Sequence, residues 1–329
     1  MARLVLSGLL CLACLNVFSD TTELLTRALA KAHAGQESMD VYAAKAAQGD
    51  GAGAQEAHES AQGSFSEVVS LCAALNPEKF ESSDDARVYG EAMVLSGNFD
   101  LAARGYERAY GLLPEDYATG LLAARNWRLV GGGGGNGKAF EILEGLRRKV
   151  SSEDSLSGGI DTELGRVYHE KGLFELAMTS YAAAMSSESS TVDTVIGDAV
   201  LSVRRGRFDY ASSAIAGLGS LTAEQGRFLD MELTVALAAV DELRVPIGDQ
   251  HYSYGMLLVR VGRNYEAMLA IEHAVMLDDT RYAIYNLLGG LLMQQGLSER
   301  GAAAYRRSLA LNPDQERTRG ILEQIESSQ

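Results

Sequence analysis

Apolar side chains recur at helical spacing along most of this chain. Between residues 86 and 95 they lie three and four positions apart, which predicts an amphipathic helix. A Gly97-Asn98 step interrupts the pattern, and the same periodicity resumes over residues 101–112 before Pro114. Glycine tolerates a positive φ and proline cannot continue a helix, so the two stretches predict a helical hairpin.

The hairpin pattern returns at a fixed step. Gly255 and Gly289 are 34 residues apart, and so are Gly262 and Gly296. A step of this size with small residues at fixed positions predicts stacked helical hairpins, because one hairpin cannot bury its apolar face alone. The other copies carry Gly90, Gly97, Ala102 and Tyr106, then Gly165, Gly172, Ala177 and Tyr181, and a degenerate copy has Gly206, Phe208 and Ala211.

These residues resemble the tetratricopeptide repeat, and the last copy matches that family's pattern most fully, with Tyr285, Leu288, Gly289, Gly296, Tyr305 and Pro313. The resemblance implies an all-α fold, a right-handed α-solenoid of helix-turn-helix repeats over residues 83–329. Residues 316–327 are expected to form a polar capping helix, which solenoids need for solubility. Residues 222–242 predict one long helix with no clear partner before Pro246, and a broken copy of the repeat is one explanation for it. A glycine run is expected as an inserted loop before a helix over residues 138–150.

The chain before the solenoid divides into two parts. Residues 20–82 predict a helical region that fits the repeat poorly. Arg3 is followed by an apolar run over residues 4–15, which is short for a membrane span and typical of a secretory signal. We therefore expect residues 1–19 to form a signal peptide and the protein to be exported, either periplasmic or anchored in the bacterial envelope.

Two processing routes fit the N-terminal segment. Val17 and Ser19 form a small-residue cleavage site before Asp20. Alternatively Cys14 is lipidated, although Cys11 stands where a lipobox usually has leucine. An uncleaved anchor or an incorrect start site would be a third explanation. In the cleaved form Cys72 is the one remaining cysteine, and its apolar neighbours favour a core position.

Charge and residue content exclude several kinds of partner. The net charge is −15, which opposes binding to nucleic acid and to anionic membrane surfaces. A membrane role is expected only through a lipid anchor. The five histidines show no metal-ligand spacing, so no metal site is predicted. No catalytic arrangement is recognisable, so the sequence predicts a protein without enzymatic activity and without a cofactor.

One stretch has the spacing of a phosphate-binding loop. Residues 132–138 read GGGGNGK, but Ala139 stands where such a loop needs serine or threonine. The preceding residues 121–130 predict a helix, whereas the loop requires a strand. We therefore interpret the glycines as a connection between two helices.

The resemblance also suggests where a partner would bind. In this family the first helix of each repeat lines the concave groove. Certain positions of that first helix point into the groove in the family. Transferred to this sequence, these positions and one neighbouring aromatic position correspond to Arg87, Arg125, Arg128, Arg166, Arg204, Arg260 and Tyr252. Arginine binds carboxylates by paired hydrogen bonds, so an acidic protein or peptide is the expected partner. Glu91, Glu163 and Glu170 would share this face, and the alternative is that the arginines are solvated ends of packed stems.

Two functions compete at this point. The first is a non-enzymatic adaptor or scaffold in the cell envelope that holds a peptide or protein in its groove. The second is a binding protein for a small apolar or anionic ligand, accessory to a transporter. That ligand would contact inner-face residues, namely Leu121, Leu122, Tyr252, Met256, Val259 and Met293. An enclosed cavity would favour the second function and an open groove the first.

Overall fold

The structure of the chain is a computed structural model. The structure describes residues 2–187, 191–243 and 250–327. Side chains within these ranges are described from residue 21 onward, apart from residues 223, 224 and 241–243. The described residues form sixteen α-helices and no strand, so the all-α expectation is confirmed. The chain divides into two compact units, Met1–Ser189 and Ser190–Gln329.

Unit 1 is a series of antiparallel helix pairs joined by short turns. Each pair packs internally and against the next, as the repeat pattern predicts. A 3₁₀ turn, Pro77–Lys79, precedes the third helix. The helices are α1 Ala2–Ala47, α2 Gly51–Cys72, α3 Ser83–Leu95, α4 Phe99–Leu112, α5 Tyr117–Val130, α6 Gly132–Lys149, α7 Ser157–Glu170 and α8 Phe174–Ser186.

Unit 2 contains three further hairpins, one unpaired helix and a terminal helix. The hairpins are α9 with α10, α12 with α13, and α14 with α15. The terminal helix α16 packs on α15 and buries Leu322 and Ile325, as expected of a cap. The helices are α9 Val192–Arg204, α10 Phe208–Ala216, α11 Ala223–Leu243, α12 His251–Arg260, α13 Asn264–Leu277, α14 Tyr282–Gln294, α15 Ser298–Leu311 and α16 Glu316–Ser327.

In five hairpins, a glycine whose backbone is in the left-handed conformation ends the first helix. Gly97, for example, has a φ of 76° and Gly172 a φ of 72°. The next residue then donates back across the helix end, as Asn98 N does to Met93 O at 2.8 Å. This Schellman-type closure satisfies carbonyls that the helix leaves open. Gly206, Gly262 and Gly296 have the same conformation.

A second glycine position sets how closely the two helices of a hairpin approach. A Cβ on Gly165 would lie 2.6 Å from the ring of Tyr181, and one on Gly90 would lie 3.0 Å from the ring of Tyr106. The tyrosine rings are buried in the space that the missing side chains leave. The sequence-based explanation of these small residues as packing positions is thus confirmed.

The start of α6 differs from the sequence-based prediction. We expected a loop over the glycine run and a helix from Lys138, but α6 begins at Gly132. The reason is close packing at the end of α5, because a Cβ on Gly135 would lie 2.5 Å from the carbonyl oxygen of Trp127. Burial of Ala139, Leu143 and Leu146 holds the helix in place despite its weak intrinsic propensity.

Candidate functional site

In unit 1, the first helices of two successive hairpins bring three of the arginines that were predicted to bind a partner to one carboxylate. Arg125 and Arg128 lie on α5, and Arg166 lies on the neighbouring helix α7. All three face Glu163, one helical turn before Arg166 on α7. We refer to these four residues and Glu170 as the Glu163 cluster.

Glu163 is the centre of this cluster and is 1% exposed. Arg128 Nε donates to its Oε2 at 2.7 Å, and Arg125 Nε donates to its Oε1 at 2.9 Å. Arg166 approaches the same Oε1 at 3.5 Å. A buried carboxylate is tolerated only when charged partners replace its hydration, and here guanidinium groups supply the replacement.

The arginines decide the protonation state of Glu163. Burial by itself raises the pKa of this carboxyl, but the positive charges of Arg128, Arg166 and Arg125 outweigh burial and bring the pKa to about 2. Burial lowers the pKa of the Arg128 guanidinium, and Glu163 and Glu170 raise it further than burial lowers it. The Glu163 carboxyl and the Arg128 guanidinium are therefore both charged at neutral pH.

Exposure separates the arginines into two kinds. Arg128 is 9% exposed and also bridges to Glu170 at 3.0 Å, so it holds two carboxylates at once. The Arg166 side chain is 13% exposed. Arg125 keeps 44% of its side chain exposed while Glu163 fixes its Nε. Arg125 is thus both oriented by the protein and open to solvent, whereas Arg128 is an internal partner of Glu163.

Local charge at the cluster is opposite in sign to the chain as a whole. Three arginines and two glutamates leave one positive charge, in a chain whose net charge is −15. Arg87, on α3, is exposed in the same unit. The binding role of these residues stays a prediction, and the geometry limits direct contact with a partner chiefly to Arg87 and Arg125.

The residues of unit 2 that were predicted to bind a partner lie in separate environments. Arg260 Nε lies 3.1 Å from Asp230 Oδ1 on α11. Tyr252 is half-buried, and the guanidinium of Arg281 lies 5.0 Å from its ring centre, a cation–π distance. Arg204 is half-buried at the end of α9.

Histidines 251 and 273 form a contact that sequence reasoning missed. Their ring centres are 5.2 Å apart in an edge-to-face arrangement, with His251 buried and His273 exposed. Burial, and then the nearby His273, lowers the pKa of the His251 imidazole. The two positions are 22 residues apart on different helices, so no short spacing could reveal the pair. Among the described residues no group of three or more metal-ligating side chains occurs.

The glycine-rich stretch has no phosphate-loop geometry. The helix α5 precedes it, and Lys138 Nζ lies 3.9 Å above the centre of the Trp127 ring and 3.3 Å from Glu107 Oε2. The lysine is therefore engaged with aromatic and acidic partners on neighbouring helices.

Pockets among the described residues lie away from the Glu163 cluster. One of about 290 Å³ lies beside α6 and α7, lined by Arg147, Val150, Ser152, Ser157, Ile160, Asp161 and Ala183. Another of about 540 Å³ lies beside the capping helix, lined by Gly290, Met293, Ser298, Tyr305, Ile321, Gln324 and Ile325. Of the inner-face residues expected to hold a small ligand, Met293 lines the second pocket.

Comparison with known proteins identifies the repeat type. Residues 282–315 match the tetratricopeptide repeat family. This segment is α14, α15 and the turns that flank them. The match falls where the sequence pattern was fullest. No curated protein matches the sequence.

The solved structures that match this chain are only distantly similar to it. A Cut9–Hcn1 hetero-tetramer of the APC/C matches at 11% identity over 82% of this chain and 48% of the other, with a TM-score of 0.39. A tetratricopeptide repeat protein from Parabacteroides merdae matches at 16% identity over 89% of this chain and 99% of the other, with a TM-score of 0.37. YrrB, described as having an unusual peptide-binding site, matches at 15% identity over 68% of this chain and 100% of the other, with a TM-score of 0.31. This chain spans about half the length of the first of these.

None of the helices in the described part of the chain combines the length and the apolar content that crossing a bilayer requires. The side chain of Cys14 lies outside the described residues, so the lipidation expectation has no structural counterpart.

Proposed function

We propose that this protein is a non-enzymatic adaptor whose first-helix face in unit 1 binds an acidic segment of a partner protein. Stacked helical repeats form extended surfaces that suit protein partners. The observation that supports this function is Arg125, whose Nε is fixed by buried Glu163 while nearly half of its side chain remains in solvent.

Orientation by Glu163 gives Arg125 an advantage over an ordinary surface arginine. A free arginine loses rotamer freedom when it binds a carboxylate, and that loss weakens binding. In the Glu163 cluster part of this entropy is already lost on folding. The excess positive charge of the cluster then favours a carboxylate over a neutral group.

We further propose that the adaptor acts in the bacterial cell envelope after export. The support is the apolar run over residues 4–15, followed by the small-residue site at Val17 and Ser19. In this proposal the protein is periplasmic or held at a membrane by lipid on Cys14.

Site-directed photo-crosslinking in cells tests the adaptor function. Leu129 lies four residues after Arg125, on the same face of α5, and is 40% exposed. A photoreactive residue there is expected to capture one discrete partner protein, and the additional substitution R125A is expected to abolish that product. Leu176 on the second helix α8, 48% exposed, is the matched control position.

Two results would contradict the proposal. Crosslinking of the same proteins from Leu129 and Leu176 would mean that the first-helix face has no preferred partner. An undiminished Leu129 product in the R125A chain would mean that the arginine does not contribute. The substitution R148A, at an exposed arginine on α6, controls for the loss of one positive charge.

A further inference from the structure

Helix α11 is an insertion between two repeats. Gly206 and Gly262 have the same place in their hairpins, yet 56 residues separate them, 22 more than one repeat. The extra length corresponds to α11, which has 21 residues. Despite the insertion, α10 packs directly on α12, as the second helix of one repeat packs on the first helix of the next. The stack therefore continues past α11, which lies outside it.

The inserted helix covers the face of α9 that the resemblance assigns to the groove. The inward positions of α9 include Ile196, Val200 and Val203, all 0% exposed. They belong to one apolar cluster with Leu229 and Leu233 of α11. Such positions are expected to face solvent in an empty groove, but here they are buried, and α11 packs on α9.

Polar contacts support this packing at two points of α11, one in its first turn and one farther along. Gln225 Nε2 of α11 donates to Asp193 Oδ1 at an inward position of α9, at 3.5 Å. Asp230 of α11 pairs with Arg260, an inward position of α12. Arg260 was predicted to bind a carboxylate of a partner, and in this structure it binds a carboxylate of its own chain.

The sequence of α11 has the pattern of a groove-binding helix. Its buried side chains follow the spacing of one helical face, namely Leu229, Leu233, Ala236, Leu237 and Val240. Amphipathic helices that bind grooves use the same spacing of apolar anchors. The opposite face is not polar throughout, because Met231 is 57% and Val235 49% exposed. Gly219, with a φ of 63°, lies in the turn that leads into the helix.

We propose that α11 is a built-in ligand that occupies the groove of unit 2 and is displaced by an amphipathic helix of a partner. The partner helix carries apolar anchors with the spacing of Leu229, Leu233 and Leu237 and a carboxylate that pairs with Arg260. This second interaction surface lies in unit 2 and is independent of Arg125, so each of the two proposals can fail without the other.

Hydrogen exchange of the full-length chain, followed by mass spectrometry, tests whether α11 opens separately. Backbone amides of α11 are expected to exchange at least about tenfold faster than those of α9 and α12, because a displaceable helix opens without unfolding of the repeats. The substitution D230R places an arginine beside Arg260, and the two positive charges repel each other. This repulsion is expected to speed hydrogen exchange of α11 alone, by about threefold to tenfold. The double swap D230R/R260D is expected to restore the slower rate. Equal exchange rates in α9, α11 and α12 would overturn the proposal.

A labelled peptide of residues 222–243 tests whether the groove accepts a helix in trans. It is expected to bind the full-length D230R chain at least about tenfold more tightly than the unchanged chain, whose groove is filled. The D230R/R260D chain should bind it weakly, because Asp230 of the peptide would then meet an aspartate. A peptide with L229S and L233S is the control. Failure of the original peptide to bind D230R, or equal binding of the control peptide, would overturn the proposal.

Discussion

Arg128 Nε lies 2.7 Å from Oε2 of Glu163, and both side chains are withdrawn from solvent. The pair joins α5 to α7, the first helices of consecutive hairpins in unit 1. A residue expected to contact a partner is therefore part of what holds two repeats together. This relationship decides which arginines are suitable for tests of binding and which are suitable for tests of stability.

Replacement of Arg128 by alanine is expected to destabilise unit 1 by about 3–5 kcal/mol, since it leaves the buried Glu163 carboxylate with weaker compensation. Urea unfolding followed by the fluorescence of Trp127, the single tryptophan of the chain, measures this loss. The matched control is R148A, because Arg148 is 78% exposed, and its effect should stay within about 0.5 kcal/mol. A loss below about 1 kcal/mol in R128A would contradict the structural role of Arg128.

Acid is expected to weaken unit 1 through Glu163. The carboxyl has an ordinary pKa of 4.5 and a folded pKa of about 2, so the unfolded chain binds the proton more readily. The stabilisation is complete above pH 4.5 and is lost as the pH falls toward 2. Unfolding monitored by Trp127 between pH 6 and pH 2 should show a shallower pH dependence in the E163Q variant. Identical pH profiles for both chains would count against this assignment.

Two glycine-to-alanine substitutions should act in opposite directions. G165A places a Cβ 2.6 Å from the buried Tyr181 ring and should cost about 1–3 kcal/mol. G137A adds a methyl group on an exposed helical position where nothing lies within 4 Å, and should gain about 0.5–1 kcal/mol. Urea midpoints of the two variants against the unchanged chain provide the measurement. Equal shifts of the same sign would show that propensity, not the approach of the helices, governs these positions.

Export makes a definite prediction for the N-terminus. Intact-mass measurement of the protein from an envelope fraction should show either a chain that begins at Asp20 or a chain acylated at Cys14. In the second case C14S should remove the lipid mass and release the protein from the membrane. A cytosolic chain that retains Met1 would contradict the export proposal.

Much of the fold could be predicted from periodicity and glycine spacing. The hairpin boundaries near Gly97 and Gly172, and the capping helix α16, follow from local rules: positive φ at glycine and apolar positions spaced three and four residues apart. The long helix over residues 222–242 was also predicted, and α11 differs from it by one residue at each end. These boundaries depend on short stretches of sequence, so they can be predicted without the rest of the chain.

The arrangement of the candidate site was harder to predict from the sequence than the helices were. The repeat offsets identified the arginines but could not distinguish Arg125 from Arg128, because burial depends on which neighbour supplies Glu163. The helical start of α6 at its glycine run depended likewise on the carbonyl of Trp127, which only packing brings near Gly135. Local propensity opposed the outcome at α6, and tertiary contact prevailed.

The sequence by itself determined most of the helices, the glycine turns between them and the tetratricopeptide pattern, because these follow from interactions within a few residues; the start of α6 is the exception. Only the tertiary structure decided that Glu163 binds three arginines and that α11 lies over α9. Both outcomes join segments tens of residues apart, such as Arg125 with Glu163 and Asp230 with Arg260. Their energies come from burial and from charge in a low-dielectric interior, and neither quantity exists until the helices have packed.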